Sequence, residues 1–167
     1  MNRKLIIAVA FPIVCLAALT AFKAVKVNSG RTIVLPISGF DPRNMLSGHY
    51  LTYQVEYGGE VCSGNDADSG REVLLCVRLQ DGKVSSSRTN RIDEPGCDAV
   101  LSGRCDFKLF NAGIVRYYIP EQHSKELDSI VRDHRAKILV AVDRNGKAMV
   151  KDLLIDDSPL GEHLKNL

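Results

Sequence analysis

The run from Leu5 to Phe22, LIIAVAFPIVCLAALTAF, contains no charged residue. Wound as a helix it spans roughly 27 Å, close to the thickness of a bilayer's hydrocarbon core. Lys23 and Lys26 follow it and can snorkel their ammonium groups to the interface. Pro12 would disrupt a soluble helix, but membrane helices tolerate it. Three readings compete: an uncleaved anchor, a cleaved signal peptide and a lipoprotein signal. Cleavage needs small residues at −3 and −1, and between Ala18 and Ala24 the best sites pair Ala with Leu or Phe. Lipidation needs a small residue before Cys15, where Val14 stands. The expectation is therefore an anchor. Residues 1–4 would lie in the cytoplasm, 5–22 would cross the membrane and 23–30 would form a linker. Residues 31–157 would make an extracytoplasmic domain, with 158–167 a frayed tail. Arg3 and Lys4 favour an inside amino terminus, although Lys23, Lys26 and Arg31 lie on the other side.

Once the anchor is set aside, about 135 residues remain, enough for one domain with its own core. Removing Arg3, Lys4, Lys23 and Lys26 from the 22 cations leaves 18 against 20 acids, so the domain is nearly neutral. A nucleic-acid binder would show a basic excess, because phosphate neutralisation drives its affinity. Trp is absent, which removes the best platform for stacking on bases or sugars. Cys62, Cys76, Cys97 and Cys105 form an even set outside the apolar run, as suits an oxidising compartment. Three pairings are open to them. The short spacing favours Cys97–Cys105, with Cys62–Cys76 as its companion. No pair has the CxxC spacing of a structural zinc site.

The domain reads as mostly strands. Thr32 to Ile37 is β-branched, with Pro36 near a strand edge or end. Ser38 to Gly48 carries the punctuation of an ordered loop. From Tyr50 to Tyr57 the chain alternates, so Leu51, Tyr53, Val55 and Tyr57 share one face. A polar, glycine-rich loop follows from Gly58 to Gly70. Glu72–Leu79 and Lys83–Thr89 flank Asp81-Gly82, a preferred hairpin turn. Val100–Phe110 and Ile114–Ile119 read as strands around Asn111-Ala112-Gly113. Pro120 opens a helix whose stripe is Leu127, Ile130, Val131 and His134. Ala136–Val142 and Lys147–Ile155 surround Asn145-Gly146, a second hairpin signal, and their apolar character marks central strands. One helix among seven or eight strands predicts an α+β domain with a mainly antiparallel sheet, behind a single transmembrane helix.

Asp41-Pro42-Arg43 followed by Gly48-His49-Tyr50 opening a strand resembles the GDYXXLXY family of uncharacterised bacterial membrane-anchored proteins. Tyr117-Tyr118-Ile119-Pro120-Glu121 is similar to that family's Y-F-V-P-E segment, and the hairpin from Val142 to Ala148 is similar as well. The resemblance spans most of residues 31 to 155 in matching order. Here His49 replaces the family's Asp, Tyr53 its Leu and Val55 its final Tyr, so any role resting on that Asp would be lost. The family implies anchoring and a fold more than an activity.

Asp41, Arg43 and Tyr50 compose a polar site at the strand's mouth, or, more simply, an Asx-type turn beside Pro42. Gly48 supplies an unusual backbone angle or a close approach. His49 is of the residue type whose ordinary range lies near neutral pH, but it is a lone histidine. His123, Glu126 and Glu121 are too generic a set to define a metal site, and no cofactor is expected. Ser38-Gly39-Phe40-Asp41-Pro42 occupies the place of a serine segment in signal-peptidase-like enzymes. A Ser/Lys mechanism needs a desolvated lysine within reach of the serine; no lysine occurs between Lys26 and Lys83, and neither Lys83 nor Lys108 sits in a convincing context. The expected function is a non-enzymatic periplasmic accessory module of the bacterial inner membrane. It would contact an integral membrane or envelope protein through Phe40, Asp41, Arg43, Gly48, His49, Tyr50, Tyr118 and Glu121. A small-ligand or ion sensor is the alternative, and a membrane-anchored peptidase the more distant one.

Overall fold

The computed structural model describes residues 3–28, 30–39, 50–59, 61–62, 70–106 and 108–165. Helix α1 (Arg3–Asn28) takes in the whole apolar run with Pro12 inside it and absorbs most of the expected linker. Its side chains from Ala10 to Phe22 are all exposed. The part of α1 whose side chains are described, Ala10 to Phe22, is by itself too short to cross a membrane, and no other helix among the described residues is long and apolar enough to do so.

The domain is mainly antiparallel β, arranged as two sheets. The larger joins β1 (Arg31–Gly39), β2 (Tyr50–Val55), β7 (Arg116–Tyr118), β8 (Ala136–Val142), β9 (Ala148–Ile155) and β10 (Ser158–Pro159), in the order β10-β9-β8-β1-β2-β7. The smaller joins β3 (Glu72–Gln80), β4 (Lys83–Thr89), β5 (Ala99–Asp106) and β6 (Leu109–Asn111), in the order β4-β3-β5-β6. A 3-10 turn, Glu121–His123, leads into α2 (Ser124–Arg132), and α3 (Leu160–His163) closes the described chain.

Burial follows the alternation of the sequence. Ile33, Leu35 and Ile37 of β1 and Leu51, Tyr53 and Val55 of β2 point into one core. Leu75 and Val77 of β3, Leu101 of β5 and Ile138 and Val140 of β8 join it, so both sheets share that core. From α2, Leu127, Ile130 and Val131 enter the same cluster. His134 does not extend their stripe: it lies beyond the helix at φ 56, with its side chain exposed beside Glu56. The reversal after α2 needs that left-handed residue, and it turns the ring away from the core.

Pro36 sits inside β1 rather than at an edge or end. The register explains how a strand flanked on both sides accepts it. Arg31 through Pro36 pair with β8, whereas Ile37 through Gly39 pair with β2. The proline stands where one ladder hands over to the next, so its missing N–H interrupts neither.

Three further expectations are corrected. Val100–Phe110 is not one strand: it folds back on itself, with β6 pairing onto β5. The expected strand Ile114–Ile119 is the short β7, which crosses to the other sheet and pairs with β2. Residues 158–165 are not a frayed tail, because β10 pairs with β9 and Leu160 is buried. Both turn signals hold. Asp81 and Gly82 adopt φ 50 and 75, the pair of left-handed residues of a primed turn. At the second, Asp143 Oδ1 accepts hydrogen bonds from the backbone N–H groups of Asn145 and Lys147, each at 2.9 Å.

The disulfides also pair differently from the expectation. Cys62 is joined to Cys105 and Cys76 to Cys97. Between Cys97 and Cys105 runs β5, and eight extended residues separate their Cα atoms by about 25 Å, far beyond the reach of a disulfide. Cys62–Cys105 lies in the main core and ties the chain leaving β2 to the second sheet. Cys76 faces the opposite side of β3, where Cys97, Val100 and Leu74 make a small separate cluster under the 90–98 loop.

Candidate functional site

Most of the expected contact loop, namely Phe40, Asp41, Arg43, Gly48 and His49, lies outside the described residues. Of the expected residues, Tyr50 begins β2, Tyr118 ends β7 and Glu121 opens the 3-10 turn. Tyr50 and Tyr118 are register partners, so the start of the motif strand and the Y-Y-I-P-E segment do come together. Tyr118 is 81% exposed on the strand at one end of the larger sheet. His123 Nε2 is 3.1 Å from the Gln122 side-chain nitrogen. Ser38 is on β1 opposite Gln54, whereas Lys83 opens β4 in the other sheet.

The geometry of β2 explains which letters of the motif can vary. Tyr53 and Val55, in place of the family's Leu and last Tyr, both point into the core, beside Leu51. Such positions ask for apolar volume rather than chemistry, so aromatic and aliphatic residues exchange there by repacking. Tyr53 nevertheless carries a buried hydroxyl with no hydrogen-bond partner among the described residues. An unpaired buried hydroxyl costs about 1–3 kcal/mol. Tyr53→Phe is therefore expected to stabilise the domain by about 1 kcal/mol, read from the midpoint of urea unfolding.

Sequence reasoning missed a tyrosine cluster behind this strand. Tyr57 packs edge-on against Phe110, with ring centroids 5.1 Å apart. The Tyr117 hydroxyl donates to Asp152 Oδ1 at 3.2 Å. Burial is the main cause that raises the ionisation of all three phenols above the ordinary value. For Tyr57 the neighbouring Tyr53 adds to it; for Tyr117 the Asp152 carboxylate does. A raised phenol keeps its proton in the fold while the unfolded chain releases it above pH about 10. This contribution is complete below that pH and declines as pH rises beyond it. A tyrosinate absorbance titration should show Tyr53 and Tyr57 ionising only as the domain unfolds.

Beside the cluster lies an open cleft of about 440 Å³, between β2 and β6. Tyr53, Val55, Tyr57, Val61, Leu109 and Phe110 give it an apolar lining, and Asp106, Lys108 and Asn111 add polar groups. Tyr57 was legible as inward-facing, but no short-range signal placed β6 opposite it.

These features define a class: a two-sheet antiparallel domain, stapled by two disulfides and carried behind an apolar helix. The family model described as GDYXXLXY protein matches residues 12–153. The chain belongs to that family. No curated protein and no solved structure matches it.

Proposed function

We propose that this protein is a single-pass, non-enzymatic module of the bacterial inner membrane whose disulfide-stapled domain works in the periplasm, contacting a membrane or envelope protein. Support for the anchor comes from α1. Phe11, Ile13, Val14, Leu16, Leu19 and Phe22 are each at least 60% exposed. At 100° per residue they surround the helix over the described stretch Ala10 to Phe22, leaving no polar face for water there, as suits a segment in lipid. Two disulfides in a small domain fit an oxidising compartment.

The observation that carries the contact function is Tyr118, a large aromatic left exposed on a terminal strand, opposite the start of the motif strand. Interfaces draw much of their affinity from such amphipathic aromatic anchors. The test is co-purification of tagged full-length protein from its own membranes in mild detergent, alongside Tyr118→Ala. Exposed substitutions of this kind seldom disturb a fold. A stoichiometric envelope protein should be recovered with wild type and reduced about tenfold with the variant, as for a contact of about 1.4 kcal/mol. Equal recovery, or recovery of this protein alone, would overturn the reading.

A second reading, a small-ligand sensor, draws on the β2–β6 cleft, whose apolar lining with a few polar groups suits an amphipathic small molecule. It becomes the better reading if nothing co-purifies and a screened compound raises the melting temperature in a Leu109- and Phe110-dependent manner.

A further inference from the structure

The connection between α1 and the domain constrains how the domain stands on the membrane. From Phe22 to Asn28 the chain is helical and advances only about 9 Å. From Asn28 to Arg31, where β1 begins, it spans at most about 10 Å. If α1 is the anchor proposed above, on which this inference rests, the start of β1 lies within about 20 Å of the hydrocarbon, and headgroups occupy several ångströms of that gap.

The fold brings specific residues to this end of β1. Arg31 pairs with Val142, the last residue of β8, so the 143–147 turn lies beside it. A methyl group on Gly30 would stand 2.7 Å from the Val142 carbonyl oxygen, so the chain leaving α1 runs against that turn. The 91–97 loop closes the same end. Arg31 reaches the carbonyls of Cys97 and Asp98 at 3.5 Å, and the Ile92 side chain approaches Gly146. Arg31, Ile92, Val142 and Arg144 line one shallow cleft there.

The acids at this end each have a partner within the protein, although Asp93 and Asp98 stay exposed. Asp143 accepts from its own turn, Asp98 from the Leu79 N–H at 2.6 Å and Glu94 from the Thr89 hydroxyl at 3.0 Å, while Asp93 lies 3.6 Å from Arg91. Arg144 and Lys147 are exposed on the turn, and Ile92 is a partly exposed apolar side chain in the loop. Cations flanking an apolar residue near a bilayer favour anionic headgroups.

We infer that the 143–147 turn and the 91–97 loop rest on the phospholipid headgroups, through Ile92, Arg144 and Lys147, so that β1 stands upright as a spacer. The consequence is a defined polarity. β1 runs from Arg31 at the membrane to Gly39, about 25 Å along the strand. Gly39 pairs with Tyr53, and Tyr50 lies three residues further out, beside Tyr118. The Tyr118 edge is thus the membrane-distal end, and its partner is a water-exposed envelope domain rather than a transmembrane segment.

The test uses full-length protein with Cys15→Ser in nanodiscs containing phosphatidylglycerol, with a fluorophore at Ile92→Cys, Tyr118→Cys or Leu19→Cys. Quenchers are carried on lipid headgroups or on acyl chains. Acyl-chain quenching at position 19 reports the anchor by itself. Headgroup quenching at position 92, absent at 118 and weakened by Arg144→Glu with Lys147→Glu, is the expected result. Equal headgroup quenching at 92 and 118, meaning a domain lying flat, overturns the inference while leaving the anchor intact. No quenching at 92 while position 19 is quenched also overturns it, and no quenching at 19 removes the anchor itself.

Discussion

Removing the Cys62–Cys105 bridge is expected to destabilise the domain by about 4 kcal/mol, the larger of the two disulfide effects. The bridge closes a segment of 43 residues, and loop-closure entropy in the unfolded chain sets the scale. The Cys76–Cys97 bridge closes 21 residues and is worth about 3 kcal/mol on the same argument. Location reinforces the order. Cys105 and Cys62 are buried in the core shared by both sheets, whereas Cys76–Cys97 secures a loop over the outer face of β3. A Cys62→Ala, Cys105→Ala variant should melt roughly 15 °C below wild type, given the usual few degrees per kcal/mol for a domain of this size. Reductant should lower the wild type by at least as much. Peptide mapping without reduction should recover 62 with 105 and 76 with 97. A loss of under about 1 kcal/mol would mean that the second sheet is held to the first without the staple.

Much of this fold was legible because its signals are local. Alternation from Leu51 to Tyr57 marks the buried face of β2, and all four expected residues are buried. Asp81-Gly82 marks a turn because both residues accept positive φ, and in Asn145-Gly146 the glycine alone takes it, closing the longer 143–147 turn. The failures are non-local. Cys97 and Cys105 are close in sequence, so their pairing looked easy, yet the strand between them holds them apart. Nothing in LFN, the sequence of β6, announces that it folds back on β5, nor in RYY that β7 leaves for the other sheet. Three-residue strands are too short to show a period, and their place is decided by which edge remains unpaired. The candidate site divides along the same line. Tyr118 was picked out by resemblance and is exposed, while the β2–β6 cleft needed the tertiary pairing to appear.

The same non-local logic makes Gly58 the most tightly confined of the described glycines. It follows β2 at φ +71, where the chain passes from the larger sheet to run along β4. A methyl group there would stand 1.8 Å from the Val84 carbonyl oxygen and 2.6 Å from its carbon. Both obstacles are backbone, so no side-chain rotation relieves them. Three residues further, the Val61 carbonyl accepts from Arg88 Nε at 2.7 Å, fixing the segment against the same strand. Left-handed backbone costs a non-glycine residue about 1–2 kcal/mol, and overpacking adds about 1–3 kcal/mol. Gly58→Ala is therefore expected to lose about 4 kcal/mol in urea unfolding. Gly82→Ala separates the two causes, because Gly82 has φ +75 but nothing within 4 Å of an added methyl group. It should lose only the conformational part, about 1 kcal/mol. Equal losses at the two positions would show that backbone angle alone makes glycine necessary at 58. A larger loss at 58 would identify the close passage along β4 as the contact that closes this end of the smaller sheet.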